Sequence, residues 1–223
     1  HGKGIYQRVM ELAQIAHPKF REELINEAKK RHYIFSDQLP PTKQDLMFLE
    51  KYKYYMELPN EQTIEFRPLL PSDEFASRNF FYSLQEMTVY YRFFQRRKVF
   101  SRDMLQKQWA QVDYRKNMTI IGQIQKGKRK EIVAIGSYAE SEEEERYAEV
   151  AFVVREDFQD QGIGSFLLSI LESIARENGY KGFIATVLNE NSKMIHVFKK
   201  RYPHSQVKMS GAGDVEVHMP FEG

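Results

Sequence analysis

Ala148-Glu149-Val150-Ala151-Phe152-Val153-Val154, followed after a short break by Gln159-Asp160-Gln161-Gly162-Ile163-Gly164 and then by Ser165 to Arg176, is the stretch on which the fold turns. The first block is an apolar run of strand length holding one charge. The second is a glycine-bearing turn, and the third places Leu167, Ile170, Leu171 and Ile174 on one helical stripe that Gly179 is positioned to end. A strand that feeds through a glycine turn into a helix presents free backbone N–H groups at the positive end of the helix dipole, where a phosphate or pyrophosphate can sit. Gly162 and Gly164 would let the backbone approach that anion closely; an ordinary strand-to-helix turn is the competing reading. Two common nucleotide fingerprints fail here. A dinucleotide loop wants a third glycine where Leu167 stands, and a P-loop wants Gly-Lys-Ser/Thr, which is absent.

Working outward, residues 119–124 and 132–138 read as strands joined by a basic hairpin turn, Lys126-Gly127-Lys128-Arg129-Lys130. That turn suits an acidic partner or merely keeps a hairpin soluble. The acidic tract from Glu140 to Glu145 either selects a basic substrate or is a solvated loop. Downstream, residues 183–188 form a continuous apolar strand, 192–200 a helix, and 207–209 with 215–219 a last hairpin around Gly211-Ala212-Gly213. Upstream, Ile64 and Phe66 alternate with Glu65 and Arg67 before Pro68 and Pro71, as in a first strand. Ser72-Asp73-Glu74 then starts a helix by capping, with helical periodicity over 75–94 and a second helix near 102–111. The order predicts an α/β (α+β) domain with a mixed, largely antiparallel sheet flanked by helices.

The first residues are of a different kind. Val9, Leu12, Ile15 and Ala16, then Phe20, Leu24, Ile25 and Ala28, lie at helical spacing on either side of His17-Pro18, which predicts two short helices with Arg21, Glu22, Glu23 and Glu27 facing solvent. Pro40-Pro41 marks a linker. The aromatic-rich stretch 45–57 reads as a short helix packed on the next domain. The domains expected are a helical appendage over 1–35, a linker over 36–62 and a catalytic-type domain over 63–223. The opening His1 points to a fragment of a longer polypeptide or to a tag remnant.

At roughly 150 residues per domain, 223 residues hold one full domain and an appendage. With 33 basic and 31 acidic residues the charge nearly cancels, which argues against a nucleic-acid reader. The absence of cysteine removes disulfides, a thiolate nucleophile and a cysteine zinc site, and a cytoplasmic setting is the plain expectation. No apolar run approaches the roughly 18 residues of a membrane span. His1, His17, His32, His196, His204 and His218 lack metal-ligand spacing, so no metal is expected.

The Gln159-x-x-Gly162-x-Gly164 spacing, between that strand and that helix, resembles the acetyl-CoA pyrophosphate loop of the GNAT (GCN-related N-acetyltransferase) superfamily, and the resemblance extends over about residues 63–220. Ile64-Glu65-Phe66-Arg67-Pro68-Leu69-Leu70-Pro71-Ser72-Asp73 with Tyr91-Arg92-Phe93-Phe94 resembles the opening of bacterial Pat-type protein lysine acetyltransferases. Ile15-Ala16-His17-Pro18-Lys19-Phe20-Arg21-Glu22-Glu23-Leu24 resembles the C-terminal tail of the acetyl-CoA hydrolase and 4-hydroxybutyrate CoA-transferase family, which would make the parent a CoA-transferase fused to an acetyltransferase module.

The first resemblance implies acetyl-CoA as cosubstrate, lying where the strand around Glu149 splays from the strand at 183–188. Phe152, Val153 and Val154 would pair with the pantetheine, and a strand N–H would polarise the thioester carbonyl. Gln159, Gln161, Gly162, Ile163, Gly164 and Ser165 would cradle the pyrophosphate; Asn189 and Asn191 either touch CoA or cap loops. Glu149 matches the family's general base, which partial burial in its apolar strand would strengthen; the plain alternative is a solvent-facing strand residue. The family's general-acid tyrosine, seven residues after Asn191, falls on Phe198, and His196 reads as a surface histidine. The expected function is acetyl transfer to an amine, a protein lysine or a small molecule. The alternative is a non-catalytic acyl-CoA-sensing domain regulating the attached CoA-transferase.

Overall fold

The alternating strand at Thr63–Pro68 seeds a sheet of eight strands in the order β1-β2-β3-β4-β5-β6-β8-β7. The computed structural model describes residues 5–34, 47, 50–95, 116–127, 129–211 and 213–222. The strands are β1 (Tyr54–Glu57), β2 (Thr63–Pro68), β3 (Asn117–Lys126), β4 (Arg129–Glu140), β5 (Tyr147–Val154), β6 (Gly182–Leu188), β7 (Gln206–Met209) and β8 (Asp214–Pro220). Every neighbouring pair is antiparallel except β5 with β6. One parallel pair needs a crossover, and helix α5 (Ile163–Glu177) supplies it. Its apolar stripe, including Leu167, Leu171 and Ile174, is buried on Ile120, Ala134, Val150 and Phe183 of the sheet. Gly179 at φ +88, with Tyr180 N–H on Ala175 O and Gly179 N–H on Arg176 O, ends α5 in a Schellman motif.

On the other face, helices α3 (Glu74–Ser83) and α4 (Glu86–Phe93) pack Phe80, Phe81 and Val89 on Ile121, Ile132, Ile135 and Val153. Periodicity alone runs these two together. Leu84 and Gln85 are extended (ψ 147 and 153), which breaks the helix and turns its second half across the sheet. The expected helix near 102–111 lies outside the described residues. Asp73 does not cap α3. Its carboxylate accepts Leu70 N–H at 2.8 Å and grips both terminal nitrogens of Arg67 at 2.7 and 2.8 Å, tying β2 to the turn ahead of the helix.

Two helices precede the sheet, α1 (Ile5–Ile15) and α2 (Pro18–Lys30), with Pro18 in the first turn of the second, as the His17-Pro18 break predicted. They pack Met10, Ala13, Ile25, Ala28 and Ile34 together and meet the rest of the chain at Phe75 and through Gln14 Nε2 on Ser72 Oγ. Arg21 corrects the solvent-facing reading. It is 7 % exposed, and its guanidinium donates to Ala16 O and Gln14 O at 2.9 and 3.1 Å, filling carbonyls that the end of α1 leaves open. Residues 54–57, read as part of a helix, are the edge strand β1, and Tyr52 just before it is buried with its hydroxyl on Glu177. The sheet therefore begins ahead of residue 63. No helix among the described residues is long and apolar enough to cross a membrane.

Candidate functional site

Pairing of β5 with β6 ends at Glu149 and Ile184, after Tyr147 with Gly182 and Ala148 with Phe183, whereas β5 stays paired with β4 as far as Val154. Beyond Glu149 the parallel strands part, and one edge of residues 150–154 has no strand beside it. Arg155 N–H donates to Val133 O and Tyr147 O accepts Ser141 N–H, so the odd-numbered residues of β5 turn their backbone groups toward β4. By alternation Val150, Phe152 and Val154 turn theirs into the gap. The Val154 carbonyl is met by Gln159 Nε2 at 2.9 Å. Backbone groups in such a gap need partners, and an extended ligand with its own amides provides them as an added strand would.

The wide end of the gap opens on the start of α5. Its first backbone bond runs from Phe166 N–H to Gly162 O at 3.0 Å, so the N–H groups of Ile163, Gly164 and Ser165 have no acceptor within the helix and stand at its positive end. The two glycines do different work. Gly162 sits at φ +82, and a Cβ there would meet only Met56 Cε at 3.6 Å, so conformation demands the glycine. At Gly164 a Cβ would lie 3.0 Å from Phe152 Cε2, so this glycine lets α5 close on β5.

Phe152, Val153, Val154, Gln159, Gly162, Ile163, Gly164, Ser165 and Asn191 all line one cleft of about 1100 Å³, above the roughly 300–1,000 Å³ of ordinary small-molecule sites. Gln161 and Asn189 are not brought into that lining. Gln161 Nε2 reaches Asp157 O at 3.3 Å, and Asn189 N–H is held by Gly213 O. Asn191 Oδ1 accepts Met194 N–H at 3.2 Å and so caps α6 (Ser192–Arg201), the loop-capping role. The sequence reading missed Lys193 at this mouth, where it pairs with Asp160 at 3.0 Å.

At the other end stands Glu149, in register between Ala139 of β4 and Ile184 of β6. The burial anticipated for it is absent. Strand alternation sends Ala148 and Val150 into the core and leaves Glu149 exposed on the open face. Glu143 and Glu216 line the same cleft, giving this end three carboxylates. Glu216 also holds His218 Nε2, whose Nδ1 lies 3.1 Å from Glu144. From α4 come Met87, Tyr91 and Arg92; the sequence marked the last two only as part of a motif, because a helix face cannot be aimed before its packing is known. Burial pushes the Arg92 guanidinium down to about 10. Phe198 is 1 % exposed and packs edge-on against Phe152 at 5.8 Å, offering no proton to the cleft, and His196 is exposed. Among the described residues no group of three or more His, Asp or Glu is placed to hold a metal ion.

Comparison with known proteins gives consistent matches. Residues 81–202 match the Acetyltransferase (GNAT) family. Acetyltransferase Pat of Mycolicibacterium smegmatis is 33% identical over 128 residues, 57% of this chain and 37% of that protein. Acetyltransferase PA5475 of Pseudomonas aeruginosa is 30% identical over 115 residues, 52% of this chain and 61% of that protein. The chain thus spans less than two thirds of either relative. Among solved structures, the GNAT domain of S. lividans PAT superposes with a TM-score of 0.67 at 26% identity, covering 77% of this chain and 98% of that one.

Proposed function

The chain belongs to the acetyltransferase (GNAT) family, and on that premise we propose that it moves the acetyl group of acetyl-CoA to the side-chain amine of a protein lysine, with Glu149 as the base. Its mixed sheet of eight strands flanked by helices is the GNAT fold, and acetyl-CoA is the family's cosubstrate. The observation that carries the reading is the early end of β5–β6 pairing beside the open N–H groups of α5. The pantetheine would lie along residues 150–154 as a substitute strand. The pyrophosphate would sit on the N–H groups of Ile163, Gly164 and Ser165, and a gap-facing N–H of Val150 or Phe152 would stabilise charge on the thioester oxygen.

A lysine amine has a pKa near 10.4 and arrives protonated. Glu149 would take that proton, directly or through water; the free amine then attacks the carbonyl carbon, and the C–S bond breaks. The nitrogen sheds its second proton as the amide forms, and the departing thiolate takes up that proton through water, since Phe198 supplies none. Three carboxylates at this end favour a cationic side chain over a neutral amine, and the similarity to Acetyltransferase Pat points the same way. The setting would be cytoplasmic. We also assign α1 and α2 to the tail of a CoA-transferase-like domain, on the resemblance of residues 15–24.

Phe198 in the family's tyrosine position supports a second reading, an acyl-CoA-sensing domain that binds without turnover and regulates an attached CoA-transferase. Hydrogen exchange with saturating CoA, paired with an assay of lysine-peptide-dependent thiol release, tests both. The first reading expects protection of Phe152, Val154 and residues 163–165 together with turnover. Protection alone selects the second, and unprotected amides contradict both.

A further inference from the structure

One cation in the cleft has no part in the reaction just described. Gln85 N–H, at the start of α4, is held by the Glu156 carboxylate at 2.8 Å, and Val89 packs on Val153, so α4 runs back along β5 from its far end toward Glu149. Arg92 is three residues beyond Val89 and on the same side of the helix, and it lines the cleft together with Ser137, Ala139 and Ala151. Several other partly or fully buried arginines are matched by an acid or by carbonyls, and Arg78, half-buried outside the cleft lining, rests on the ring of Phe75 at 4.8 Å. Arg67 grips Asp73, Arg201 reaches Glu172 at 2.7 Å, Arg155 reaches Asp157 at 2.7 Å, and Arg21 fills two carbonyls. Arg92 has beside it the ring of Phe93, 5.2 Å away, and no acid among the described residues. Its place in the last turn of α4 gives it the favourable end of the helix dipole but does not fill its planar donors. Arg92 is half-buried, and a partly sheltered guanidinium with open donors gains by meeting an anion, which in a cleft is supplied by the ligand.

We propose that Arg92 recognises a carboxylate carried by a substrate at the reacting end of the cleft. The carboxylate is either the free end of a dicarboxylic acyl group on CoA or an acidic side chain beside the acceptor lysine. The placement of both substrates rests on the acyl-transfer reading. The carboxylate would pair in the fork geometry that only arginine offers, across the cleft from the three glutamates that attract the amine.

Calorimetric titration tests this without turnover. Wild type, Arg92→Gln and Arg92→Lys are titrated with acetyl-CoA and succinyl-CoA. The same proteins saturated with CoA are then titrated with two lysine peptides that differ only in Glu or Gln beside the lysine. The expected result is a preference for the carboxylate-bearing ligand of about tenfold or more in one pair, collapsing toward unity in Arg92→Gln and partly restored in Arg92→Lys. The pair that responds identifies the source. Ratios within each pair cancel any general weakening by the variant. Absence of a carboxylate preference in wild type in both pairs overturns the proposal without any variant, as does a preference that survives Arg92→Gln. Because every readout is an equilibrium, a protein that never turns over counts against Glu149 catalysis and leaves this test standing.

Discussion

Gly162→Asp separates the two properties that meet at the start of α5, conformation and anion binding. At φ +82 a side chain sits in the left-handed region, which Asp and Asn tolerate better than other residues at a cost on the order of 1 kcal/mol. The new Cβ meets only Met56 Cε at ordinary contact distance, so no packing penalty is added. For a chain of this length that cost lowers Tm by about 2–4 °C. A carboxylate placed about 6 Å from a pyrophosphate, at an effective dielectric of about 20–80, is repelled by roughly 0.7–3 kcal/mol for each negative charge. Two charges make that about tenfold or more in CoA affinity. Gly162→Asn has the same shape and backbone tolerance without the charge. Calorimetry with CoA should therefore give a Kd at least about tenfold weaker for Asp than for Asn at low salt, converging at high salt as the charges are screened. Equal affinities for the two variants would refute a pyrophosphate at this helix end. A Tm loss far above a few degrees in both would show that Gly162 serves the fold.

Arg21→Ala should remove two charged hydrogen bonds to the end of α1, about 1.5–3 kcal/mol each at most, and loosen α1 and α2 while the sheet is untouched; faster hydrogen exchange confined to residues 5–30 is the check. Gly136→Ala would put a Cβ 2.8 Å from Leu167 Cδ2 and 2.9 Å from its Cγ, overpacking α5 against β4 by about 1–3 kcal/mol, read as a Tm drop of several degrees. Burial alone pushes the Glu172 carboxyl up, but hydrogen bonds from Tyr202, Arg176 and Arg201 more than reverse this and hold it below the usual carboxylate range. A depressed folded value means that its stabilisation is present above the unfolded value of about 4.3 and is lost as pH falls below that, through the folded value. Glu172→Gln should thus be less stable at pH 7 and lose less on acidification, measured by denaturant midpoints from pH 7 to 3.

What could be read from residue order was what depends on local periodicity. The β5 run, the 162–164 turn and the α5 stripe each carry their own pattern, and all three stand where the sequence put them. β1 escaped because Tyr54-Tyr55-Met56-Glu57 has no alternation, and only pairing with β2 makes it a strand. Arg21 was misjudged because a charged residue at a solvent-type position can be drawn inward by carbonyls at the end of another helix, which no local pattern announces. For Glu149 the strand was right and the burial was not. The apolar neighbours that suggested a buried setting alternate away from it. Gln161 and Asn189 were placed by spacing, yet neither lines the cleft, and the Gln161 side chain turns back onto Asp157 O. Arg92 came into view only once the break at Leu84 and Gln85 had swung α4 across β5.

The most direct test of the account is the rate of thiol release from acetyl-CoA with a saturating lysine peptide, in wild type and Glu149→Gln, with CoA affinity measured on both. The account predicts amine-dependent release in wild type, a fall of about 10²–10⁴ in the variant, and an unchanged Kd for CoA, because Glu149 stands outside the pyrophosphate loop. Release at an equal rate in the two proteins would contradict the assignment of the base, and CoA binding with no release from wild type would make this a sensing domain.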